Sequence, residues 1–264
     1  SIWLNSLTPR ENDFTNLSYK YYSMNLQEIL EFRRATRKFN SEPISAERVR
    51  RCLELATLAP TSNNMQLYEM VHVTDRALLQ RLATACLNQV SAQTAQQMVV
   101  FVTRHDRYRQ RVKQLISFER DNIKRHSAPE DQERRIKEKE SYYGKMIPFL
   151  YSKFFGLWGA VRKTMLVSVG AFRPMFRQCS ETDTRIVLHK SCGLVAQTFM
   201  LAMAEAGYDT CPLEGFDSLR VKRALGLPRS AEITMVVTCG MRDAEGIHGD
   251  RFRVDFNELY SQRG

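Results

Sequence analysis

The sequence predicts an α+β sandwich, in which a small sheet lies between helices. Three β-rich runs, at residues 68–73, 98–103 and 233–239, are separated by longer stretches with helical periodicity. The second run is apolar almost throughout and predicts a buried central strand. Three or four strands among so many helices favour this class over a doubly wound parallel sheet. With 264 residues, 43% of them apolar, the chain can bury the core of one large domain or two small ones.

The first two predicted helices begin at residues that commonly cap helices. Asn25 precedes the first helix, which carries on one face Leu26, Ile29, Leu30 and Arg33. Ser45 precedes the second, where Ile44 and Val49 have the spacing of a hydrophobic staple. The apolar stripe of the second helix predicts its buried residues, which are Val49, Cys52, Leu53 and Ala56.

Two further helices follow from the pattern. Residues 75–87 predict a helix after the first strand. Residues 188–206 predict a strongly apolar helix that ends at Gly207, because glycine readily adopts the left-handed conformation that follows many helices. Residues 240–264 are polar and predict an extended tail.

A long segment, residues 104–186, separates the second strand from the apolar helix. Its first part, 104–141, is dense in charges of both signs and predicts helices with solvated faces. Its second part, 146–176, is apolar and aromatic. We expect an N-terminal arm at 1–24 and a single domain at 25–264 that carries this segment as a basic helical insertion.

The composition favours some partners over others. The net charge of +10 and a pI of about 9.4 suit anionic ligands or surfaces. The basic residues fall in no recognisable nucleic-acid reader motif, so we expect no nucleic-acid partner. The cysteines and histidines show no zinc spacing, so we expect no metal.

The cysteines and apolar segments bear on location. Six cysteines lie mostly in apolar runs, which predicts free thiols in a reducing compartment. Residues 1–5 show no apolar signal core. The most apolar stretch, 146–172, is interrupted by Lys153, Arg162 and Lys163, and it falls short of a spanning helix. A cytoplasmic protein is the expectation.

Four short segments carry side chains suited to binding a ligand. They are RRATRKF at 33–39, PTSNNMQ at 60–66, CPLEGFD at 211–217 followed by LGLP at 225–228, and RFR at 251–253. Arginine forks match a phosphate with two parallel hydrogen bonds. Hydroxyl and amide groups can bond a polar heterocycle or a ribityl chain. Each segment alone also fits a plain structural role, as a basic helix end, a capped turn, a helix-opening turn or a basic tail.

In this order and spacing, the four segments resemble the FMN-dependent nitroreductase family of NAD(P)H oxidoreductases. RRATRKF is similar to the family's opening R-R-S-x-R-x-F, and APTSNNMQ to its A-P-S-S-x-N-x-Q loop. PLEGFD and the following ALGLP resemble P-x-E-G-F-D and its helix, and RFR resembles the closing basic pair. The resemblance covers roughly residues 25–103 and 187–256.

The resemblance implies a nitroreductase-like sandwich with a central, mostly antiparallel sheet and an intertwined homodimer that shares two FMN sites. Arg33, Arg34, Ala35 and Arg37 would bind the flavin, and Arg33 would meet its phosphate together with Arg251 and Arg253. The loop containing Pro60, Thr61, Ser62 and Asn64 would come from the partner chain. Asn88 would meet the pyrimidine edge, and the isoalloxazine ring would lie beside Pro212, Leu213, Glu214 and Gly215.

The implied activity is electron transfer from NADH or NADPH through FMN to a small electron-poor substrate, such as a nitroaromatic or a quinone. The flavin carries the hydride chemistry, so no side chain is assigned as a catalytic acid, base or nucleophile. The sequence contains no G-x-G-x-x-G turn for a dinucleotide, which favours FMN over FAD.

Some positions depart from the family pattern. Ala35 stands where serine is usual, Leu67 and Tyr68 replace a common proline-tryptophan pair, and Ser191 replaces a longer amide. The insertion at 104–186 is longer and more basic than the family core needs.

Two alternatives to this activity stay open. One is a specialised flavin enzyme of the same fold, which fragments the flavin or removes halide from an aromatic ring. The other is a flavin-binding protein of the membrane surface, in which an interfacial helix combines aromatic and basic residues. These residues are Phe149, Phe154, Phe155, Leu157 and Trp158 next to Lys153, Arg162 and Lys163.

Overall fold

A four-stranded antiparallel sheet forms the centre of the computed structural model, which describes residues 24–153 and 156–264. The spatial order is β1-β2-β4-β3, and the strands are β1 (Tyr68–Val73), β2 (Gln97–Thr103), β3 (Asp209–Leu213) and β4 (Glu232–Gly240). Every residue of β2 is buried. The predicted α+β class and the buried central strand are confirmed. Nearly all of the predicted arm at 1–24, and the pair Phe154 and Phe155, lie outside the described residues.

Helices surround the sheet. They are α1 (Leu26–Phe32), α2 (Ala46–Ala56), α3 (Arg76–Ala85), α4 (Val90–Gln93), α5 (Tyr108–His126), α6 (Pro129–Ser141), α7 (Ile147–Tyr151), α8 (Leu157–Val169), α9 (Glu181–Glu205), α10 (Ser218–Ala224) and α11 (Phe256–Leu259). Short 3₁₀ turns lie at Ser62–Asn64 and His105–Arg107, and a π-helical turn at Tyr142–Met146 joins α6 to α7.

The predicted helix caps are present. The Asn25 side chain accepts a hydrogen bond from the Glu28 backbone N–H, and the Glu28 carboxylate accepts one from that of Asn25. The Ser45 hydroxyl accepts from the Arg48 N–H at 3.2 Å. Every residue predicted for the buried stripe of α2 is buried. In α1, by contrast, no residue is buried, and Leu26 and Leu30 are 63% and 41% exposed.

The two sheet faces carry separate hydrophobic cores. Alternate side chains of β2 point to opposite faces. Met98 and Val100 belong to the cluster that includes α3 and α10, whereas Val99 and Phe101 belong to the cluster that includes α2 and α9. All six cysteines are buried free thiols.

Helix α9 is the longest element. It begins at Glu181, earlier than predicted, where Ser180 and Asp183 form a capping box. Its length and apolar composition would suffice to cross a bilayer. However, it packs against α2 and three strands, and residues such as Phe199 and Met203 are completely buried. Among the described residues, α9 is the core helix of this fold.

A third hydrophobic cluster lies under the segment 104–186. Tyr108, Tyr143 and Tyr151 of this segment pack with Met65 and Leu67 of the loop before β1. Helices α5 and α6 pack together, and their exposed surface carries ion pairs such as Arg120–Glu140 and Lys139–Glu119. The predicted helices with solvated faces are confirmed for the charge-dense part of this segment, and the structure adds that α5 and α6 form a hairpin.

Some elements were not predicted from the sequence, among them α4, strand β3 and the helix in the tail. Strand β3 is short, and Asp209 and Pro212 are residues that strands disfavour, so the pattern gave it no signal. The tail forms the four-residue helix α11 where an extended chain was expected.

Candidate functional site

The basic segment that follows α1 lies along the edge strand β3. Ala35 forms an isolated parallel bridge with Thr210, and the Thr36 N–H donates to the Thr210 carbonyl at 3.1 Å. Thr36 is fully buried, and its hydroxyl bonds the Asp209 carboxylate at 3.3 Å. These contacts fix the backbone of Arg33 to Arg37 at the sheet edge.

A buried ion pair supports this arrangement. Asp209 is only 3% exposed, and it accepts hydrogen bonds from the Arg242 Nε at 2.8 Å and the Arg242 backbone N–H at 2.9 Å. The Arg242 guanidinium also donates to the Phe32 carbonyl and lies 4.3 Å from the centre of the Phe32 ring. A buried carboxylate requires such partners. The sequence pattern gave no signal for this pair, because the strand that begins at Asp209 could not itself be predicted.

The C-terminal tail closes over the end of α1. The Arg251 guanidinium donates to the carbonyls of Leu30, Glu31 and Arg33, at 2.9, 3.0 and 2.6 Å. Carbonyls at a helix C-terminus lack partners within the helix, so a cation there satisfies them. The Arg34 guanidinium donates to the Gly249 carbonyl at 2.8 Å, so a second arginine links the segment after α1 to the C-terminal tail.

Four arginines meet beside the middle of β3, and we call them the arginine cluster: Arg33, Arg37, Arg251 and Arg253. Burial lowers the pKa of Arg33, and repulsion from Arg251 and Arg253 lowers it further. Within residues 24–153 and 156–264, neither these arginines nor Arg34 form an ion pair with a carboxylate. Uncompensated positive charge of this density suits an anionic ligand.

The arginine cluster opens into a cleft. Arg37 lies 3.7 Å from the Cys211 sulfur of β3, and burial raises the pKa of that thiol. A cleft of about 440 Å³ is lined by Arg37, Lys38, Gln89, Val90, Ser91, Glu245 and His248. Lys38 is paired with Asp243 and Glu245 on the rim, whereas Arg37, which also lines the cleft, forms no ion pair with a carboxylate of the described residues.

The turn after β3 lies next to the same cleft. Pro212 and Leu213 are part of the strand, whereas Glu214 and Gly215 are exposed beyond it. The Gln89 side chain donates to the Gly215 carbonyl at 2.8 Å. A Cβ atom at Gly215 would meet only this Gln89 nitrogen, at 3.5 Å, which is ordinary contact. The described residues of this chain therefore leave room for a side chain larger than that of glycine at position 215.

Asn88 and its neighbour occupy different surroundings. Asn88 is exposed, has a left-handed backbone (φ 53°), and lines another cleft with residues such as Arg76 and Gln80. Gln89, by contrast, reaches the turn at Gly215. The resemblance pointed to Asn88, and the contact of Gln89 with this turn could not be read from the sequence.

The loop at 60–66, which we call the amide loop, is held by hydrogen bonds within the loop and by hydrogen bonds to α9 and the insertion of the same chain. The Ser62 N–H donates to the Ser191 hydroxyl at 3.1 Å, and the Thr61 hydroxyl accepts from the Gln66 N–H. Tyr142 donates to the Asn63 side chain at 2.5 Å. The loop thus lies against α9 and the insertion, with Ser62 and Asn64 exposed and Thr61 half-buried.

The amide loop and the arginine cluster lie at diagonally opposite corners of the sheet. The loop precedes β1, and Tyr68 pairs with Thr103 at one end. Ala35 pairs with β3 on the other edge, near the end where Gln97 pairs with Cys239. Three strand spacings alone separate the two edges by about 14 Å. One chain therefore does not bring the two sets of predicted ligand residues together.

A second cavity, which we call the uncharged cavity, lies beside the amide loop. It has a volume of about 320 Å³ and is lined by Ser62, Asn63, Tyr142, Met146, Leu150, Tyr151, Phe176, Gln178, Cys179, Thr184 and Val187. None of these side chains is acidic or basic, although the chain carries a net charge of +10. Most of its lining comes from the insertion.

The fold is that of an α+β protein, and the arginine cluster is a candidate ligand site at one edge of its sheet. A family model for the Nitroreductase family matches residues 30–241. MhqN of Bacillus subtilis, by name a candidate NAD(P)H nitroreductase, is 24% identical over 232 residues, which cover 88% of this chain and 95% of MhqN. This chain belongs to the nitroreductase family and is an oxidoreductase of that family.

Solved structures show the same fold. A candidate NAD(P)H:FMN oxidoreductase from Staphylococcus epidermidis has a TM-score of 0.67 at 18% identity, over 90% of this chain and 96% of that one. A candidate nitroreductase from Exiguobacterium sibiricum, solved in complex with FMN, has a TM-score of 0.63 at 20% identity, over 91% and 98% of the two chains. The sheet expected from the resemblance is thus confirmed.

Proposed function

We propose that this protein binds FMN, takes electrons from NADH or NADPH, and passes them to a small, electron-poor substrate. The observation that carries the proposal is the arginine cluster, which has no carboxylate partner among the residues that the structure describes. The cluster lies next to a turn in which Gly215 has room for a Cβ atom. The FMN complex of the Exiguobacterium relative and the NAD(P)H in the name of MhqN support it.

The residues present fit FMN. Arg33, Arg37 and Arg253 supply guanidinium groups for a phosphate dianion, whereas Arg251 is held by the end of α1 and positions Arg33. Arg34 and Ala35 would complete the flavin-binding segment at 33–37. Residues 212–215 would border the isoalloxazine ring, and Asn88, which the family resemblance indicates, would meet its pyrimidine edge. Bound FMN would supply the hydride chemistry. The protein's own contribution is to bind, orient and shield.

We further propose that the site is completed in a homodimer. The amide loop, with Pro60, Thr61, Ser62 and Asn64, lies too far from the arginine cluster of its own chain, so a second copy must supply it. Helices α1 and α9 pack together, and Leu26, Leu30 and Leu194 on them are exposed. Exposed apolar side chains on adjacent helices are typical of an interface.

The uncharged cavity favours neutral substrates. It adjoins Ser62 and Asn63, so in the proposed dimer it would open beside the partner's flavin. Burying a charge there without a partner would be costly, whereas an apolar ring can pack on Tyr142, Tyr151 and Phe176. Neutral quinones and nitroaromatics fit this lining. We also propose that residues 25–264 form a single domain that carries the insertion at 104–186, and that the protein acts in the cytoplasm.

The test is the absorption spectrum of the purified protein followed by anaerobic addition of NADH or NADPH. We expect a yellow protein whose visible absorbance bleaches and then recovers when menadione, a neutral quinone, is added. An anionic sulfonated quinone of similar size should be reduced more slowly. Recovery of FAD or of no flavin, or a bound FMN that neither nicotinamide bleaches, would refute the proposal.

A further inference from the structure

Helix α8 exposes a stripe of large apolar side chains. Leu157, Val161 and Met165 are four residues apart, so they lie on one side of the helix. They are 62%, 49% and 47% exposed, and the neighbouring Trp158 is 38% exposed. Apolar side chains in a contiguous row commonly mark a surface that meets a partner or a membrane.

The charge of the surrounding segment is one-sided. Residues 142–180 contain no aspartate or glutamate, although at the chain's average frequency 39 residues would hold about four. The segment does contain six lysines and arginines. Five of them are exposed, namely Lys145, Lys153, Lys163, Arg173 and Arg177. Lys163 lies two residues from both Val161 and Met165, and therefore on the side of α8 away from the stripe. Lys145 and Lys153 precede α8 in the chain, and Arg173 and Arg177 follow it. We call the apolar stripe and these four flanking cations the α8 face.

The remaining cation fixes α8 in place. Arg162 is 1% exposed and donates to the carbonyls of Phe149, Ser152 and Cys179, at 2.6, 2.9 and 3.1 Å. Arg162 therefore does not contribute a surface charge, in contrast to the expectation from the sequence. On the same side of α8, a Cβ at Gly159 would come within 2.8 Å of the Glu181 nitrogen. The side of α8 that carries Gly159 and Arg162 thus packs against the rest of the protein, whereas the apolar stripe faces solvent.

We propose that the α8 face docks on the surface of a membrane that contains anionic lipids. Thirteen helical residues extend about 20 Å, which is too short to cross the hydrocarbon core of about 30 Å. A helix of this kind lies in the plane of the interface with its apolar side chains among the acyl chains. Exposed lysines and arginines attract anionic headgroups, and no carboxylate in the segment repels them. Tryptophan is favoured at that depth.

The test uses flavin-loaded protein that is co-sedimented with vesicles of phosphatidylcholine, with or without about 30% phosphatidylserine. We expect binding to the anionic vesicles, weakening as salt is raised. Val161→Asp combined with Met165→Asp should lower this binding at least about tenfold. Phe118→Asp, on the exposed side of α5, is the matched control and should bind like the wild type.

A second pair of variants tests the charge. Lys153→Glu combined with Arg173→Glu should also lower binding to anionic vesicles by about tenfold or more. Lys137→Glu combined with Arg125→Glu, on α6 and α5, makes the same change in net charge away from the α8 face. This control should retain most of the binding, because the proposal depends on local attraction rather than on net charge.

A spectroscopic measurement avoids reliance on the variants. The chain has two tryptophans, so in a Trp3→Phe background the emission of Trp158 should shift to shorter wavelength with anionic vesicles. Failure of the wild type to bind anionic vesicles would overturn the proposal. So would equal binding by the Val161/Met165 variant. An oligomer that this variant dissociates, with vesicle binding unchanged, would show that a second copy covers the face instead.

Discussion

The Arg251 guanidinium donates a 2.6 Å hydrogen bond to the backbone carbonyl of Arg33. It also bonds two further carbonyls at the end of α1, which makes it part of the local fold. Arg253, two residues later, is exposed and donates within the tail only to the Phe252 carbonyl. In the sequence the two arginines form one basic pair, but in the structure they have different surroundings.

Arg253→Ala is expected to weaken FMN binding and leave the fold intact. Loss of one charge-assisted hydrogen bond to phosphate, worth roughly 1.5–3 kcal/mol, raises the dissociation constant about tenfold to a hundredfold. Fluorescence titration of the apoprotein with FMN measures the change. Riboflavin, which lacks the phosphate, should bind equally well to wild type and variant. Equal losses for both ligands would remove Arg253 from the phosphate site.

Arg251→Ala is expected to act differently, because it leaves three carbonyls at the end of α1 without their cation. The displaced tail and helix end should weaken riboflavin and FMN alike, and they should increase proteolysis near residues 26–33. Titration with both flavins and limited trypsin digestion measure these effects. A loss restricted to FMN would mean that Arg251 acts on the phosphate rather than through Arg33.

Gly215→Val is expected to lower the affinity for both FMN and riboflavin, since the ring system common to both would meet the new side chain. Within the chain, position 215 has room for a Cβ, so the thermal unfolding of the apoprotein should change little. Gly144→Ala, whose Cβ would meet only the Ile116 side chain at 3.9 Å, is the control. Unchanged flavin affinity in Gly215→Val would place the ring elsewhere.

The proposed sharing of sites between two chains is tested by complementation. Arg253→Ala protein and Thr61→Ala/Asn64→Ala protein should each bind FMN weakly as homodimers of about twice 30.7 kDa. In a heterodimer of the two, one site receives both defects and the other receives none. Random mixing should restore full affinity to roughly a quarter of the sites. No recovery in a verified heterodimer would contradict sites built from both chains.

His105 is expected to make the protein less stable in acid. Burial, and then repulsion from Lys153, lowers its pKa to about 4, and its ring packs with those of Tyr108 and Tyr151. The unfolded chain, with a pKa near 6.5, binds the proton first as the pH falls. The free energy of unfolding should therefore fall by up to about 3 kcal/mol as the pH is lowered from 6.5 to 4. Above pH 6.5, His105 is neutral in both states and should not change the stability.

Urea unfolding at several pH values measures this dependence. His105→Phe keeps an aromatic ring but cannot titrate, so its stability should fall less steeply between pH 6.5 and 4. The exposed His126 provides the control, and His126→Gln should follow the wild-type curve. Parallel curves for the wild type and His105→Phe would show that His105 does not determine the acid limit.

Most helices and strands could be predicted from the sequence, because they rest on local signals, whereas the proposed ligand-binding segments stay a prediction. Caps at Asn25 and Ser45 and apolar periodicity define helices by contacts a few residues apart. Strand β3 could not be predicted in this way. Its pairing with β4 is a long-range contact, and Asp209 is tolerated there only because Arg242 neutralises it.

By itself, the sequence determined the class of fold and the buried central strand, since composition and short-range pattern specify them. It also contained the arginines that the proposed phosphate site requires. Only the tertiary structure decided which residues share a site. It placed the amide loop and the arginine cluster at opposite corners of one sheet, assigned Arg251 to the end of α1, and buried Arg162 beneath α8. These outcomes depend on how distant segments pack, and packing over long sequence separations leaves no periodic signal in the chain.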